Sequence, residues 1–417
     1  MVFLQELLKN KHMIISAGFS NIKQERMNAI LRTVLSHKRI TRKKLAELLN
    51  LSQSSIVKYV KDLNDIGLVK ETTKTGTSLG RKSVYIEINN EIGVNLAIVL
   101  NASHIKGVLI DLGGVVIDEY IEQSFENVPK DVELEKLYLV IVNLLKKASQ
   151  MKKKIFGIGL AMGGFIDPKK GISHDFLYAT GWYDVPLAKM IESRFHLPCF
   201  LVNDANAYAM GDKFYGLGLG YTDFFTLKID EGIGMGIIIN GNLYLGGNNY
   251  SGELGHNKIQ GNRAKCYCGL TGCLETICSK NAILEACQKE LDSGVHSDIL
   301  RLMEVDHSPL TFQHIVSAAN NGDRLARNLF RKVGKAIASK LSDIVNVFNP
   351  QLIVFRGEVI DGNEFLFETF KQFLSNQVLR HTASHLVIKY SEKSEDIDMK
   401  GINAMILMDF FTKRAEL

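Results

Sequence analysis

No run of about 18 apolar residues occurs in the 417-residue chain, so no stretch is long enough to cross a bilayer as a helix. The first residues also lack the unbroken apolar core of a signal peptide, because Glu6, Lys9 and Lys11 interrupt it. Cysteine is scarce. Six in so long a chain cannot make a disulfide scaffold, and four of them crowd into residues 266–278. These absences point to a cytoplasmic protein with one local use for thiolates, a metal foremost. Repeats of 20–50 residues and low-complexity tracts are missing too. What remains is ordinary: 46% hydrophobic and 23% charged residues exclude wholesale disorder, and the length leaves room for about three domains.

The charge is unevenly placed. Residues 1–90 hold 16 Lys+Arg against 7 Asp+Glu, a net of +9, while the other 327 residues carry a net of −4. A basic head on a slightly acidic body suits a nucleic-acid-binding domain fused to something else, and a merely solvated basic face would look the same.

The spacing of that head predicts three helices and a hairpin. Ile22, Ile30, Leu31, Val34 and Leu35 recur at helical spacing. Thr41 can cap a second helix that opens on Arg42, Lys43 and Lys44 and turns Leu45, Leu48 and Leu49 inward. After a turn at Asn50 and Leu51, Ser52 can cap a third helix with Ile56, Val60 and Leu63 on one face, and Gly67 ends it. Strands at 68–72 and 83–88 enclose a Gly- and Lys-rich tip. This is the order of a winged helix-turn-helix. Its third helix would offer Gln53, Ser54, Ser55, Lys58 and Tyr59 to base edges and phosphates. The wing would lay Arg81 and Lys82 into a minor groove. A three-helix interaction domain with solvated cations is the alternative.

Beyond residue 90 strands and helices alternate, which makes the body α/β. Strands are predicted at 93–100, 105–111, 155–160, 199–203, 223–229, 234–240 and 351–355. Helices are predicted at 133–151, 185–194, 205–213, 278–292, 312–320, 323–348, 363–377 and 400–414. The sharpest motif is Ser251-Gly-Glu-Leu-Gly-His256, followed by Cys266-Tyr-Cys268-Gly-Leu-Thr-Gly-Cys273-Leu-Glu275. One imidazole and three thiolates, His256, Cys266, Cys268 and Cys273, complete a tetrahedral set that suits one structural zinc ion per chain. Cys199, Cys278 and Cys287 fall outside this spacing and read as small core residues.

The segment from Gly252 to Glu275 resembles the signature of the ROK family of repressors and sugar kinases, and the resemblance extends from about residue 20 onward. Gly157-Ile-Gly-Leu-Ala-Met-Gly-Gly-Phe-Ile-Asp167, Asn203-Asp-Ala-Asn206 and Asn349-Pro350 follow in the family's order. The resemblance implies a winged helix-turn-helix over 21–88 and then a two-lobed, actin-like ATPase fold. One lobe is expected at 89–202 plus 400–417 and the other at 203–399. In family kinases the Asp matched by Asp204 takes a proton from the sugar hydroxyl. Asn203, Glu253, His256 and Glu275 match residues that hydrogen-bond sugar hydroxyls.

The ATP side departs from the kinase pattern. The Asp-x-Gly-Gly-Thr turn of the kinases is replaced by Asn101-Ala-Ser-His104, while Asp111-Leu-Gly-Gly114 matches the following hairpin instead. The second phosphate loop reads Asp230-Glu231-Gly-Ile-Gly234, and the paired glycines near adenine become Arg356-Gly357. Two carboxylates would then face phosphates, and like charges 4 Å apart cost on the order of 4 kcal/mol at an effective dielectric near 20. The resemblance therefore implies no catalysis. It implies a sugar-responsive regulator that binds palindromic double-stranded operator DNA as a homodimer or homotetramer, with a small sugar as effector and no membrane partner. A working sugar kinase with an added DNA-binding domain, and a sensor of a partner protein, are the other readings.

Overall fold

Two hydroxyl side chains decide where the helices of the head begin. The computed structural model describes residues 21–73, 84–391 and 396–408. Helix α1 (Asn21–His37) leads into a two-residue strand, β1 (Ile40–Thr41), where the Thr41 hydroxyl accepts the Lys44 N–H and starts α2 (Arg42–Leu49). Asn50 closes α2 in the left-handed region at φ 50°, and the Ser52 hydroxyl accepts the Ser55 N–H to start α3 (Gln53–Asp65). Ile56, Val60 and Leu63 of α3 are buried with Met27, Ile30 and Val34 of α1 and Leu45 of α2. Strands β2 (Val69–Thr73) and β3 (Val84–Ile88) pair antiparallel, and β1 adds to the other edge of β3. The three helices and two strands follow the sequence reading closely. The wing tip, with Arg81 and Lys82, lies outside the described residues.

The body contains two five-stranded sheets of one plan. In the first, β4 (Val94–Leu100), β5 (His104–Asp111) and β6 (Val116–Gln123) form an antiparallel meander. After helix α4 (Lys130–Gln150), β7 (Ile155–Met162) runs parallel to β4; after α5 (Leu187–Phe195), β8 (Cys199–Asn203) runs parallel to β7. Helix α6 (Asp204–Tyr215) follows. The second sheet repeats the scheme with β9 (Phe224–Ile229), β10 (Ile233–Ile239) and β11 (Asn242–Leu243) antiparallel. Helices α7 (Lys280–Asp292), α8 (Asp298–Asp306), α9 (Phe312–Asn320) and α10 (Arg324–Phe348) precede β12 (Leu352–Arg356), which is parallel to β9. Helix α11 (Glu364–Ser375) leads to β13 (Val387–Tyr390), parallel to β12. Helix α12 (Ile397–Met408) returns to the first sheet.

The chain divides into one unit of residues 1–219 plus 397–417 and another of 220–396. The first boundary therefore falls after α6, not at 202/203 as the sequence suggested, and the second falls before 400. Packing explains the shift. Helix α6 lies so close to α12 that a Cβ on Gly401 would sit 1.8 Å from the Ala207 carbonyl oxygen, and one on Gly211 would sit 1.9 Å from that of Ile397. In the first unit Ile402 and Ile406 of α12 cover one face of the sheet, and Leu137, Ile141 and Leu144 of α4 cover the other. Helix α1 of the head packs on α12 and α6. The second unit buries Ile337, Leu341, Phe355 and Phe370 in a core of its own. Cys199, Cys278 and Cys287 are fully buried, as core residues should be.

Strand β6, helix α8 and strand β13 have no counterpart in the sequence reading. Strand β6 is an edge strand with only half-buried and exposed positions, and Asp118, Glu119 and Glu122 interrupt its alternation. Strand β13 is a second edge with the same weak burial, and α8 buries only Ile299. Little apolar periodicity is needed at such positions. Among the described residues no helix is long and apolar enough to cross a membrane.

Candidate functional site

The metal candidates converge. The ligand atoms of His256, Cys266, Cys268 and Cys273 all lie within 4.8 Å of one another. Cys268 Sγ is 3.8 Å from Cys273 Sγ, and Cys266 Sγ is 3.7 Å from His256 Nδ1. Sulfur at about 2.3 Å and nitrogen at about 2.05 Å from a tetrahedral centre would be about 3.8 Å and 3.6 Å apart, so the residues fit zinc. Local chemistry builds this loop. Asn262 Nδ2 donates to the Cys273 carbonyl and to Thr276 Oγ1, and Gly272 turns at φ +86° where a Cβ would come within 2.7 Å of the Asn262 oxygen. Burial pushes the Cys266 thiol up to about 12 and the Cys273 thiol upward, so these groups ionise only against a strong positive charge.

His256 has two working faces. Its Nδ1 edge points at Cys266, and Nε2 lies 3.4 Å from the Tyr267 hydroxyl and 3.8 Å from Glu253 Oε2. Tyr267 escaped the sequence reading. Its only signal is alternation, since a residue between two inward cysteines must point outward. Its ring meets the imidazole edge-on at 5.4 Å. Glu275 opens the short helix Glu275–Cys278 and is buried, with Oε2 accepting the Ile233 N–H at 2.9 Å. One carboxylate oxygen is thus already engaged by β10.

Asn203 and Asp204 belong to the first unit. Asn203 ends β8 and caps α6, its side chain accepting the Ala205 N–H at 3.0 Å. Asp204 is the first residue of α6, where its carboxylate is favoured by the helix dipole, and Oδ1 accepts the same N–H at 2.7 Å. A Cβ on Gly163 would be 3.8 Å from Asp204 Oδ2, so that loop passes close to the carboxylate.

The two turns compared in sequence with kinase phosphate loops carry side-chain hydrogen bonds and an ion pair. Asn101 Oδ1 accepts the N–H groups of Ser103 and His104, which are donors of the β4–β5 turn. Asp111 accepts the Val115 N–H in the β5–β6 turn, which places Asp111-Leu-Gly-Gly114 in that hairpin as read from the sequence. In the second unit Asp230 does not stand bare beside Glu231. It turns inward, pairs with Lys228 at 3.1 Å and accepts the Glu358 N–H at 2.5 Å. The like-charge cost expected for Asp230 and Glu231 is offset by that cation and donor. Gly357 permits the approach: its φ is +103°, and a Cβ there would lie 2.5 Å from Asp230 Oδ1.

Nearby Asp361 has its pKa raised to about 6 by burial and by the Asp230 charge. A carboxyl raised in the fold binds its proton more tightly there than when unfolded. Its contribution to stability is therefore complete below about pH 4 and is lost as pH rises through 6. Asp361→Asn is expected to flatten the stability profile between pH 4 and 7, measured by urea unfolding. An unchanged profile would contradict this account.

The DNA-facing candidates of α3 divide. Gln53 and Lys58 are exposed, with no hydrogen bond or ion pair among the described residues. The hydroxyls of Ser54 and Ser55 turn back to Ser52 Oγ at 2.9 and 2.8 Å, and Tyr59 is half-buried.

Known proteins share this architecture. The ROK family matches residues 95–408, and an HTH domain matches residues 26–76. The chain belongs to the ROK family. The xylose repressor of Caldicellulosiruptor bescii is 29% identical over 394 residues, covering 94% of this chain and 97% of that one. The N-acetylglucosamine repressor of Escherichia coli O157:H7 is 27% identical over 373 residues, 89% of each chain. Among solved structures, a ROK family transcriptional regulator homologous to the Escherichia coli MLC protein superposes with TM-score 0.81 at 25% identity, over 95% of this chain and all of that one. A ROK family glucokinase from Streptomyces griseus, in complex with glucose and AMPPNP, superposes at TM-score 0.66 and 21% identity over 75% of this chain and 99% of its own. The second likeness bears on the fold alone.

Proposed function

We propose that this protein is a sugar-responsive transcriptional repressor that binds double-stranded operator DNA through its head and a small sugar through its ROK body. The observation that carries the reading is the joining of a capped helix-turn-helix to a ROK body over one chain. The repressor relatives align over about nine-tenths of their length, head included. Asn203, Asp204, Glu253, His256 and Glu275 are the sugar-binding residues. Carboxylates accept from hydroxyls, the amide does both, and His256 Nε2 is the edge not facing the cysteines. His256, Cys266, Cys268 and Cys273 hold one structural zinc per chain, which charges the thiolates and pins the loop carrying Glu253 and Glu275. Arg81 and Lys82 of the wing join Gln53, Ser54, Ser55, Lys58 and Tyr59 as DNA contacts. The protein acts as a homodimer or homotetramer on a palindromic site, with no membrane partner.

The first unit supplies a route from sugar to head. Asp204 begins α6, α6 is locked to α12 through Gly211 and Gly401, and α1 rests on both. A sugar that favours one setting of α6 shifts the population of head settings, and its differential affinity sets how far.

Phosphoryl transfer is not part of this function. Asn101 occupies two N–H donors of one turn and the other carries the Asp230 and Glu231 carboxylates, both of which disfavour phosphate binding. Incubated with ATP and a panel of aldoses, the protein is expected to give no turnover above background. Turnover that vanishes in Asp204→Asn would instead identify a kinase. Operator binding by the full chain, lost on deleting residues 21–88, tests the repressor reading itself.

A further inference from the structure

One exposed side chain on α3 is apolar. Val57 is 43% exposed and stands beside Gln53, Ser54, Lys58 and Lys61 on the flank of the stripe formed by Ile56, Val60 and Leu63. At 100° per residue it lies a quarter-turn from that buried stripe, directly one turn beyond Gln53. Neither packing nor helix propensity explains it. The described residues of the head leave it 43% exposed, and a β-branched residue is a poorer helix former than the alanine or lysine that would serve at a solvated position.

Its neighbours indicate what it faces. Ser54 and Ser55 each share a hydrogen bond with Ser52 Oγ in the N-cap, which commits part of their hydrogen-bonding capacity within the helix. Gln53 and Lys58 are left exposed without a hydrogen bond or ion pair among the described residues. The first turns of α3 thus offer an amide, a branched apolar group and a cation side by side. In a major groove the amide matches adenine N6 and N7, the cation matches guanine or a phosphate, and a branched apolar group matches only the C5-methyl of thymine.

We infer that Val57 reads the C5-methyl of a thymine in each operator half-site, beside the base met by Gln53. The inference rests on the DNA-binding reading above and adds to it one base identity and the atom by which that base is recognised. The methyl fills the apolar edge of Val57, water leaves both surfaces, and cytosine at that position offers no methyl in return.

Removing one methyl group from the DNA tests this. Duplexes bound by the full-length protein are selected from a random pool at fixed salt, and each thymine of the preferred site is replaced in turn by deoxyuridine. One thymine per half-site is expected to matter. Its replacement weakens binding of the parent by about fourfold, the worth of one buried methyl-sized group, and leaves Val57→Ala unchanged. Val57→Thr, which keeps one methyl, is expected to fall between them. The exposed position lets both variants fold, and their thermal unfolding is compared with that of the parent. Uracil tolerated at every position by the parent, or equal sensitivity in Val57→Ala, would overturn the assignment of Val57 while leaving DNA binding intact. Failure of the full chain to enrich any duplex would overturn both.

Discussion

Raising the salt from about 50 to 200 mM is expected to weaken operator binding by about 10³-fold, the slope for roughly six phosphates neutralised by two heads. The head has the charge for it. Within residues 21–73, Lys43, Lys58 and Lys61 have no ion pair among the described residues, and the N-terminus of α2 adds its own dipole. Some cations are already committed inside the domain. Arg39 pairs with Glu87 and lies over the Tyr85 ring, Arg42 pairs with Glu71, and Lys23 pairs with Asp62. Lys58→Ala should therefore cost more affinity than Arg39→Ala and reduce the salt slope by about one contact per head. Arg81→Ala should weaken binding through the minor groove. Fluorescence anisotropy across a salt series measures both. A slope near zero would mean that the basic head is only solvated.

Stripping the metal should produce the second large effect. Binding free energy at a structural zinc site is folding free energy, about 10–16 kcal/mol in isolated zinc-finger peptides. Even a third of that, about 4 kcal/mol, would lower the melting temperature of a unit of this size by roughly 8–16 °C. The loss should be confined to residues 220–396, because the cluster and its Asn262 staple lie wholly there. Cys268→Ala is expected to reproduce it, and Cys287→Ala, in the core but outside the cluster, is not expected to release metal. Metal analysis of chelator-free protein should return about one zinc per chain. Protein without metal, equally stable before and after chelation, would contradict the assignment.

How much of this could be read from residues alone varied with the physics at each place. The head was legible because capping is local: Thr41 and Ser52 satisfy N–H groups three residues away and mark both helix starts. The cysteine cluster was legible because ligand spacing within one loop constrains geometry. The course of α6 was not. Its attachment to α12 depends on Gly211 meeting a carbonyl nearly 200 residues distant, and no local pattern announces such a contact. Asp230 was misjudged in its surroundings for the same reason. Its identity signals repulsion beside Glu231, but Lys228 and the Glu358 N–H, the latter 128 residues away, neutralise it. Tyr267 and Val57 were missed because each is defined by exposure, which alternation and periodicity only hint at.

The most direct test of sugar-responsive repression is operator affinity titrated with a panel of sugars for the parent and Asp204→Ala. Hydrogen bonds to a charged acceptor contribute roughly 1.5–3 kcal/mol each, so losing the carboxylate should weaken the effector by about 10- to 100-fold. Without sugar the two proteins should bind DNA alike, because Asp204 lies at the start of α6 and outside the head. The account predicts that one sugar releases the parent from its operator and that Asp204→Ala stays bound at the same concentration. Identical release curves, or no release by any sugar, would contradict it and favour a partner protein as the signal.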